Sequence, residues 1–239
     1  MFLISLFLSE LSPFRNQHLS SAPNQMVTFK IANGQDSEVE LFQVHKEFAC
    51  RHSPVLEKAF NCKFIEGQIQ TYTLDDVEPE VFRFIFQWLY MERLTLSVHD
   101  EKKAGNPADK NTHSRKCYAQ YLLLVKLWVL ADRLCIDRLQ NVIINHIVRI
   151  QGECGRMSSA CFSYIYESTA EGSPLRRLAV DQAAWFGDSD SFLSRLQDYP
   201  KEMLLEIVSV FAKQLPRVVR NRKTASMIAE DYHVIEDKA

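Results

Sequence analysis

The sequence predicts an α+β chain: a small mixed β-sheet capped by helices, followed by an all-helical extension. Three observations carry that reading. Between Val27 and Leu41 apolar and polar residues alternate, as in strands with one face on a core. From Val81 onward apolar residues recur at helical spacing, so that successive segments each bury one face. After Ser158 the strand signals cease, while helix starts of the Ser-Pro and Pro kind continue.

VTFKIANGQDSEVELFQV reads as a hairpin. Val27, Phe29 and Ile31 point one way, Asn33-Gly34 offers left-handed turn backbone, and Val39 and Leu41 begin the returning strand. Two short helices follow, divided at Ser53-Pro54, where Ser53 suits an N-cap and Pro54 the first helical position. IQTYTL is a further strand. DDVEPEVFRFIFQWLY sets carboxylates at a helix start, where the macrodipole favours them, and puts Val81, Phe82, Ile85, Trp88 and Leu89 on one face.

Residues 97–116, SVHDEKKAGNPADKNTHSRK, are polar throughout and are read as an exposed loop that interrupts the domain without ending it. YLLLVKLWVLADRL is apolar nearly all round, as a central helix must be, and DRLQNVIINHIVRI spaces Leu139, Val142, Ile143, His146, Ile147 and Ile150 along one face. The two form a helical hairpin that turns near Cys135-Ile136-Asp137. Three more helices follow: SSACFSYIYES; SPLRRLAVDQAAWF, again with a Ser cap and Pro first; and PKEMLLEIVSVFAKQL, with Met203, Leu204, Ile207, Val208 and Phe211 inward. The expected division is a leader over 1–26, a domain over 27–150, a helical region over 155–215 and a fraying tail over 216–239. No solenoid or propeller repeat is visible.

The 28 Lys and Arg against 30 Asp and Glu leave a formal net charge of -2 over 239 residues, so no overall field draws the chain to nucleic acid or an acidic membrane. No segment approaches the length of a bilayer span. The six cysteines include no C-x-x-C pair and are read as reduced, which places the protein inside the cell. MFLISLFLSE lacks a Lys or Arg before its apolar run, is broken by Glu10 and precedes no A-x-A site, so it is not read as a secretory signal. Its Leu3, Phe7, Leu11 and Phe14 fall at helical spacing, an apolar stripe suited to a partner subunit or to the chain's own domain. Met26 is a second candidate start.

His45, Cys50, His52 and Cys62 gather candidate metal ligands in a short span, but H-x4-C-x-H-x9-C matches no usual zinc spacing, and the expected helix break separates them. No G-x-S-x-G elbow surrounds Ser189, and no phosphate-binding glycine loop occurs. Asp75, Asp76, Glu78 and Glu80 sit where helix capping alone accounts for them. His146, Trp88 and Trp128 read as core residues. Lys213, Arg217, Arg220, Arg222 and Lys223 read as a solvated helix end, with nuclear import as the other reading. No enzyme, cofactor, metal or small-molecule substrate is expected.

FQVHKEF, SPVLEKAF, FIEGQ, YTLDDVEPEVFRFIFQWLY and LVKLWVLADRLCIDRLQN, in that order, resemble a BTB/POZ domain over 27–150. The long polar insertion, LWVLADRL and YIYESTAEGSPLRRLAVDQAAW are similar to filamentous-fungal BTB proteins with a helical carboxyl-terminal region. The usual Tyr-Thr-Gly after the third helix is here Tyr90-Met91-Glu92, and no Kelch, MATH or zinc-finger pattern accompanies the domain. The resemblance implies a protein-interaction module with protein partners and no catalytic centre, working in the nucleus or the cytoplasm. Family members self-associate, and a subset dock on a cullin scaffold as ubiquitin-ligase adaptors through a hydrophobic-x-Glu motif, a position held here by Phe64-Ile65-Glu66. In that reading Phe64 is an exposed anchor, Glu66 orients the partner and Tyr90 adds a contact; in the other, Phe64 is core and Glu66 its solvated neighbour. The alternative function is a scaffold or transcription-related factor that uses the domain for homotypic assembly, without a ligase. The family also gives His45 a structural role at a strand-to-helix join.

Overall fold

Alternation along the first strand decides how the sheet lies. The structure is a computed structural model that describes residues 24–34, 38–96, 110–155, 158–187, 189–214 and 216. Most of the leader, residues 97–109 and the tail beyond Pro216 therefore lie outside the described residues. These divide into two compact units, one ending at Glu92 and the other beginning at Arg93.

In the first unit the order is β1 (Met26–Ile31), β2 (Glu40–His45), α1 (Lys46–His52), α2 (Pro54–Asn61), α3 (Ile65–Ile69), β3 (Thr71–Leu74) and α4 (Pro79–Met91). The sheet runs β2-β1-β3, with β1 antiparallel to β2 and parallel to β3. Val27, Phe29 and Ile31 are buried, as the alternation requires. The expectation for the returning strand fails: Val39 is 53% and Leu41 61% exposed. Leu41 lies opposite Lys30, whereas Phe42 lies opposite Phe29 and Val44 opposite Val27, so the inward phase of β2 falls on the even-numbered residues. Nor do Asn33 and Gly34 act as a simple hairpin tip. Asn33 bridges to Asp76, and Gly34, at φ 98°, donates its N–H to the Asp75 carbonyl at 2.8 Å, which ties the end of β1 to the exit of β3.

Ser53 caps α2 as expected: its Oγ accepts the Leu56 N–H at 3.1 Å, and Pro54 fills the first turn. Leu56 and Phe60 of α2 are buried, as are Val81, Phe82, Ile85, Trp88 and Leu89 of α4. The Phe29 ring meets Phe60 at 5.7 Å and Phe82 at 4.9 Å, and Phe42 meets Phe82 at 4.9 Å. Outside this core, Arg83 clamps the Glu40 carboxylate with two bonds of 2.9 and 2.7 Å.

The second unit holds α5 (Lys110–Arg133), α6 (Asp137–Cys154), α7 (Phe162–Ser168), α8 (Pro174–Phe186), α9 (Ser189–Ser194) and α10 (Lys201–Gln214), with one 3-10 turn before α7 and another after α9. Helix α5 starts inside the segment expected to be a loop. A helix nucleated by its apolar centre extends back through Lys, Arg and His at little cost, since these residues have adequate helix propensity. The α5–α6 hairpin forms as expected, burying Leu124, Leu127, Leu139, Ile143, Ile147 and Ile150, and turns at Cys135 with φ 52°. Tyr121 donates its hydroxyl proton to Gln182 Oε1 at 2.7 Å, joining α5 to α8. Arg176 of α8 donates to the Tyr166 and Thr169 carbonyls, closing the end of α7, and lies 4.5 Å over the Tyr166 ring. In α10, Met203 and Ile207 are buried, but Val208 is 63% and Phe211 42% exposed, against the expectation that both face inward. Helix α10 is apolar on more sides than its neighbour α8 covers. Among the described residues no helix is long and apolar enough to cross a membrane.

Two outcomes follow. Glu92 ends α4 at φ 50°, the left-handed position where the family pattern has glycine, and its N–H reaches the Trp88 carbonyl at 2.9 Å. Glu92→Gly raises stability by about 1 kcal/mol in urea denaturation, because a Cβ at that backbone conformation is the larger cost and the half-exposed His52 contact at 3.9 Å contributes little. Burial pushes the Cys161 thiol above its ordinary 9.0, and burial, with the nearby Cys161, pushes the Tyr121 phenol above its ordinary 10.0. Both groups stay protonated longer in the fold than in the unfolded chain, so their stabilisation is complete below pH 9 and is lost as pH climbs past it. Denaturation of the second unit then shows a falling midpoint above that pH, and Tyr121→Phe makes the fall shallower.

Candidate functional site

The Cys/His span separates into local structural roles. The His45 N–H donates to Tyr90 Oη at 3.1 Å, which leaves the phenolic proton placed for His45 Nδ1 at 2.9 Å. His45 thereby joins the end of β2 to the end of α4, the strand-to-helix role expected of it. The Cys62 thiol donates to the Ala59 carbonyl at 3.1 Å, and Cys50 lies beside the Leu56 carbonyl, its thiol pushed up by burial. His52 lies 3.9 Å from the Glu92 carboxylate. Among the described residues no three His, Cys, Asp or Glu side chains are grouped to hold a metal ion. The described cysteines Cys50, Cys62, Cys117, Cys135 and Cys161 are free thiols.

Phe64 and Glu66 stand at a corner between α2 and β3. Phe64 takes extended backbone ahead of α3 and is 75% exposed, so its side chain is not core; Glu66 is half-buried in the first turn. The sequence reading missed Ile65 and Ile69, which are 65% and 57% exposed. Four residues apart on a helix, they share one face, and the I-x-x-x-I spacing in FIEGQIQ was their available signal. It could not be used without knowing that a helix as short as α3 forms there, since such helices depend on tertiary support.

That support is on the backbone side. A Cβ built on Gly67 would lie 2.0 Å from the Cys62 carbonyl oxygen, so α3 rests directly on the end of α2. Gln70 closes α3 at φ 50°, and its amide donates to the Phe60 carbonyl at 3.0 Å, an acceptor shared with Lys46 Nζ at 2.9 Å. Gln68 Nε2 reaches the Lys63 carbonyl at 2.8 Å. The main chain is fastened while Phe64, Ile65 and Ile69 project outward, an arrangement that offers apolar area and an adjacent carboxylate to another protein. Tyr90 does not join them. Its hydroxyl is engaged with His45, and its ring packs on Phe48 at 4.9 Å and Phe86 at 5.1 Å. The second unit carries a separate apolar surface, with Trp185 55% and Phe186 64% exposed at the end of α8 and Phe211 6.3 Å from Trp185.

Gly67→Ala tests how the corner is held. The added methyl forces α3 off the Cys62 carbonyl and costs about 1–3 kcal/mol of stability in thermal or urea denaturation, whereas Gln68→Ala, on an exposed side chain, stays within roughly 0.5 kcal/mol.

A family model of the BTB/POZ domain matches residues 18–111, which takes in the sheet, the corner and α4. The chain is also similar to the BTB/POZ and MATH domain-containing protein 5 of Arabidopsis thaliana, at 29% identity over 143 residues, covering 59% of this chain and 32% of the relative. It thus spans about a third of that relative's length. The three-stranded mixed sheet with its helices agrees with the family match, and the chain carries a BTB/POZ domain, a fold of protein-interaction modules.

Proposed function

We propose that this protein recruits other proteins through its BTB/POZ domain and serves as an adaptor that docks on a cullin scaffold of a ubiquitin ligase, with self-association of the same domain. The observation that carries the reading is the exposure of Phe64 on a fastened corner, with Ile65 and Ile69 beside it and Glu66 next in sequence. An aromatic anchor with aliphatic neighbours supplies the apolar centre of an interface, and the carboxylate at its edge fixes orientation. Rigidity lowers the entropy lost on docking, because the backbone has no freedom left to surrender. Tyr90 acts in this reading through the fold, holding the end of α4 to the end of β2.

The test is capture of purified cullin amino-terminal regions by the full chain. The wild-type protein binds; Phe64→Ala with Glu66→Ala weakens binding by about 30-fold or more, the loss expected for an anchor worth about 2 kcal/mol, with circular dichroism and melting unchanged. Cullin binding indifferent to the pair removes the corner as the site. Homotypic assembly without cullin binding supports the scaffold or transcription-related alternative.

A further inference from the structure

The chain enters β1 beside the exposed corner. The Gln25 side chain donates to Gln70 Oε1 at 3.2 Å, and the Gln25 carbonyl accepts the Lys46 N–H at 2.8 Å. Gln70 is the residue that closes α3, and its own carbonyl accepts the Thr28 N–H at 2.9 Å. The segment upstream of Gln25 is thus tethered at the foot of the surface made by Phe64, Ile65 and Ile69.

Upstream lies MFLISLFLSELSPF, in which Leu3, Phe7 and Leu11 recur at every fourth position while Ser5, Ser9 and Glu10 fall elsewhere. That is the pattern of a short helix with one apolar stripe, and Pro13 marks where such a stripe must end. The stripe and the corner are of like chemistry, each with one aromatic and two aliphatic side chains. Reach is sufficient. The residues between Pro13 and Gln25 span about 20 Å as a flexible chain, well beyond the length of α3. A tether of that kind holds its stripe at an effective concentration on the order of millimolar, enough for a weak contact to form within one molecule.

We propose that Leu3, Phe7 and Leu11 occupy the Phe64, Ile65 and Ile69 corner of the same chain and exclude other proteins from it until a partner displaces them. The proposal rests on the reading of that corner as a docking site and supplies its regulation. A single stripe on a flexible tether covers the apolar side chains without matching the larger contact of a folded partner, so it competes without locking the site.

The experiment is peptide-resolved hydrogen–deuterium exchange on the full chain with no partner present. Leu3→Glu with Phe7→Glu speeds exchange over 63–70 by about tenfold or more, while β1 and α4 peptides keep their wild-type rates. Reciprocally, Phe64→Ser with Ile69→Ser speeds exchange over the leader. Wild-type leader amides that exchange as fast as a free peptide, or rates over 63–70 that ignore the leader substitutions, overturn the proposal. Protection that fades on dilution assigns the leader to a second copy and overturns it as an intramolecular contact. Because no cullin enters the measurement, failure here leaves the cullin-capture result standing, and failure of capture leaves this result standing.

Discussion

Phe29, at the middle of the central strand, is the constraint on which the first unit depends. β1 is hydrogen-bonded on both edges, and the inward face of that one residue is met by α2 through Phe60, by α4 through Phe82 and by β3 through Tyr72. Burying a side chain of that size contributes about 1.5–3 kcal/mol, but its larger effect is on register. A slip of one residue would turn Val27, Phe29 and Ile31 outward together, so the strand has a single acceptable position. The phase of β2 and the inner faces of α2 and α4 then have no independent choice.

The corner at α3 shows how exposure and rigidity coexist. Its main chain is tied down from beneath by the Gly67 contact, the Gln70 amide and the Lys46 ammonium, so the apolar side chains can stay outside without the segment unravelling. The shared acceptor at the Phe60 carbonyl serves the unpaired end of α2 while it anchors the next element. The Cys/His span works the other way: its polar atoms are spent on local bonds at helix ends and joins, which leaves them no common point at which chemistry could gather. In the second unit, polar ties such as Tyr121 to Gln182 and Arg176 to the end of α7 align helices whose apolar faces alone would tolerate sliding.

Legibility followed the reach of each signal. The Ser53-Pro54 break, the α4 face and the α5–α6 hairpin were readable because capping and helical periodicity act over a few residues and need no partner. Three features were not. The phase of β2 depends on which residue pairs with Phe29 across the sheet, and the residues following Gly34 carry no mark of it. The start of α5 depends on propagation from a core far along the helix. The exposure of Val208 and Phe211 depends on how much of α10 its neighbour α8 covers, and an apolar stripe looks the same covered or bare.

By itself the sequence determined the class of the protein: the order of strands and helices, the caps that divide them, and a likeness to BTB/POZ domains that lies in local patterns such as FQVHKEF and FIEGQ. Only the tertiary structure decided that Phe64 is an exposed anchor rather than a core ring, that Ile65 and Ile69 join it and that Tyr90 does not. The reason is physical. Whether an apolar side chain is buried depends on what other segments bring against it, and α2 meets the α3 corner on its backbone, leaving the side chains to face water.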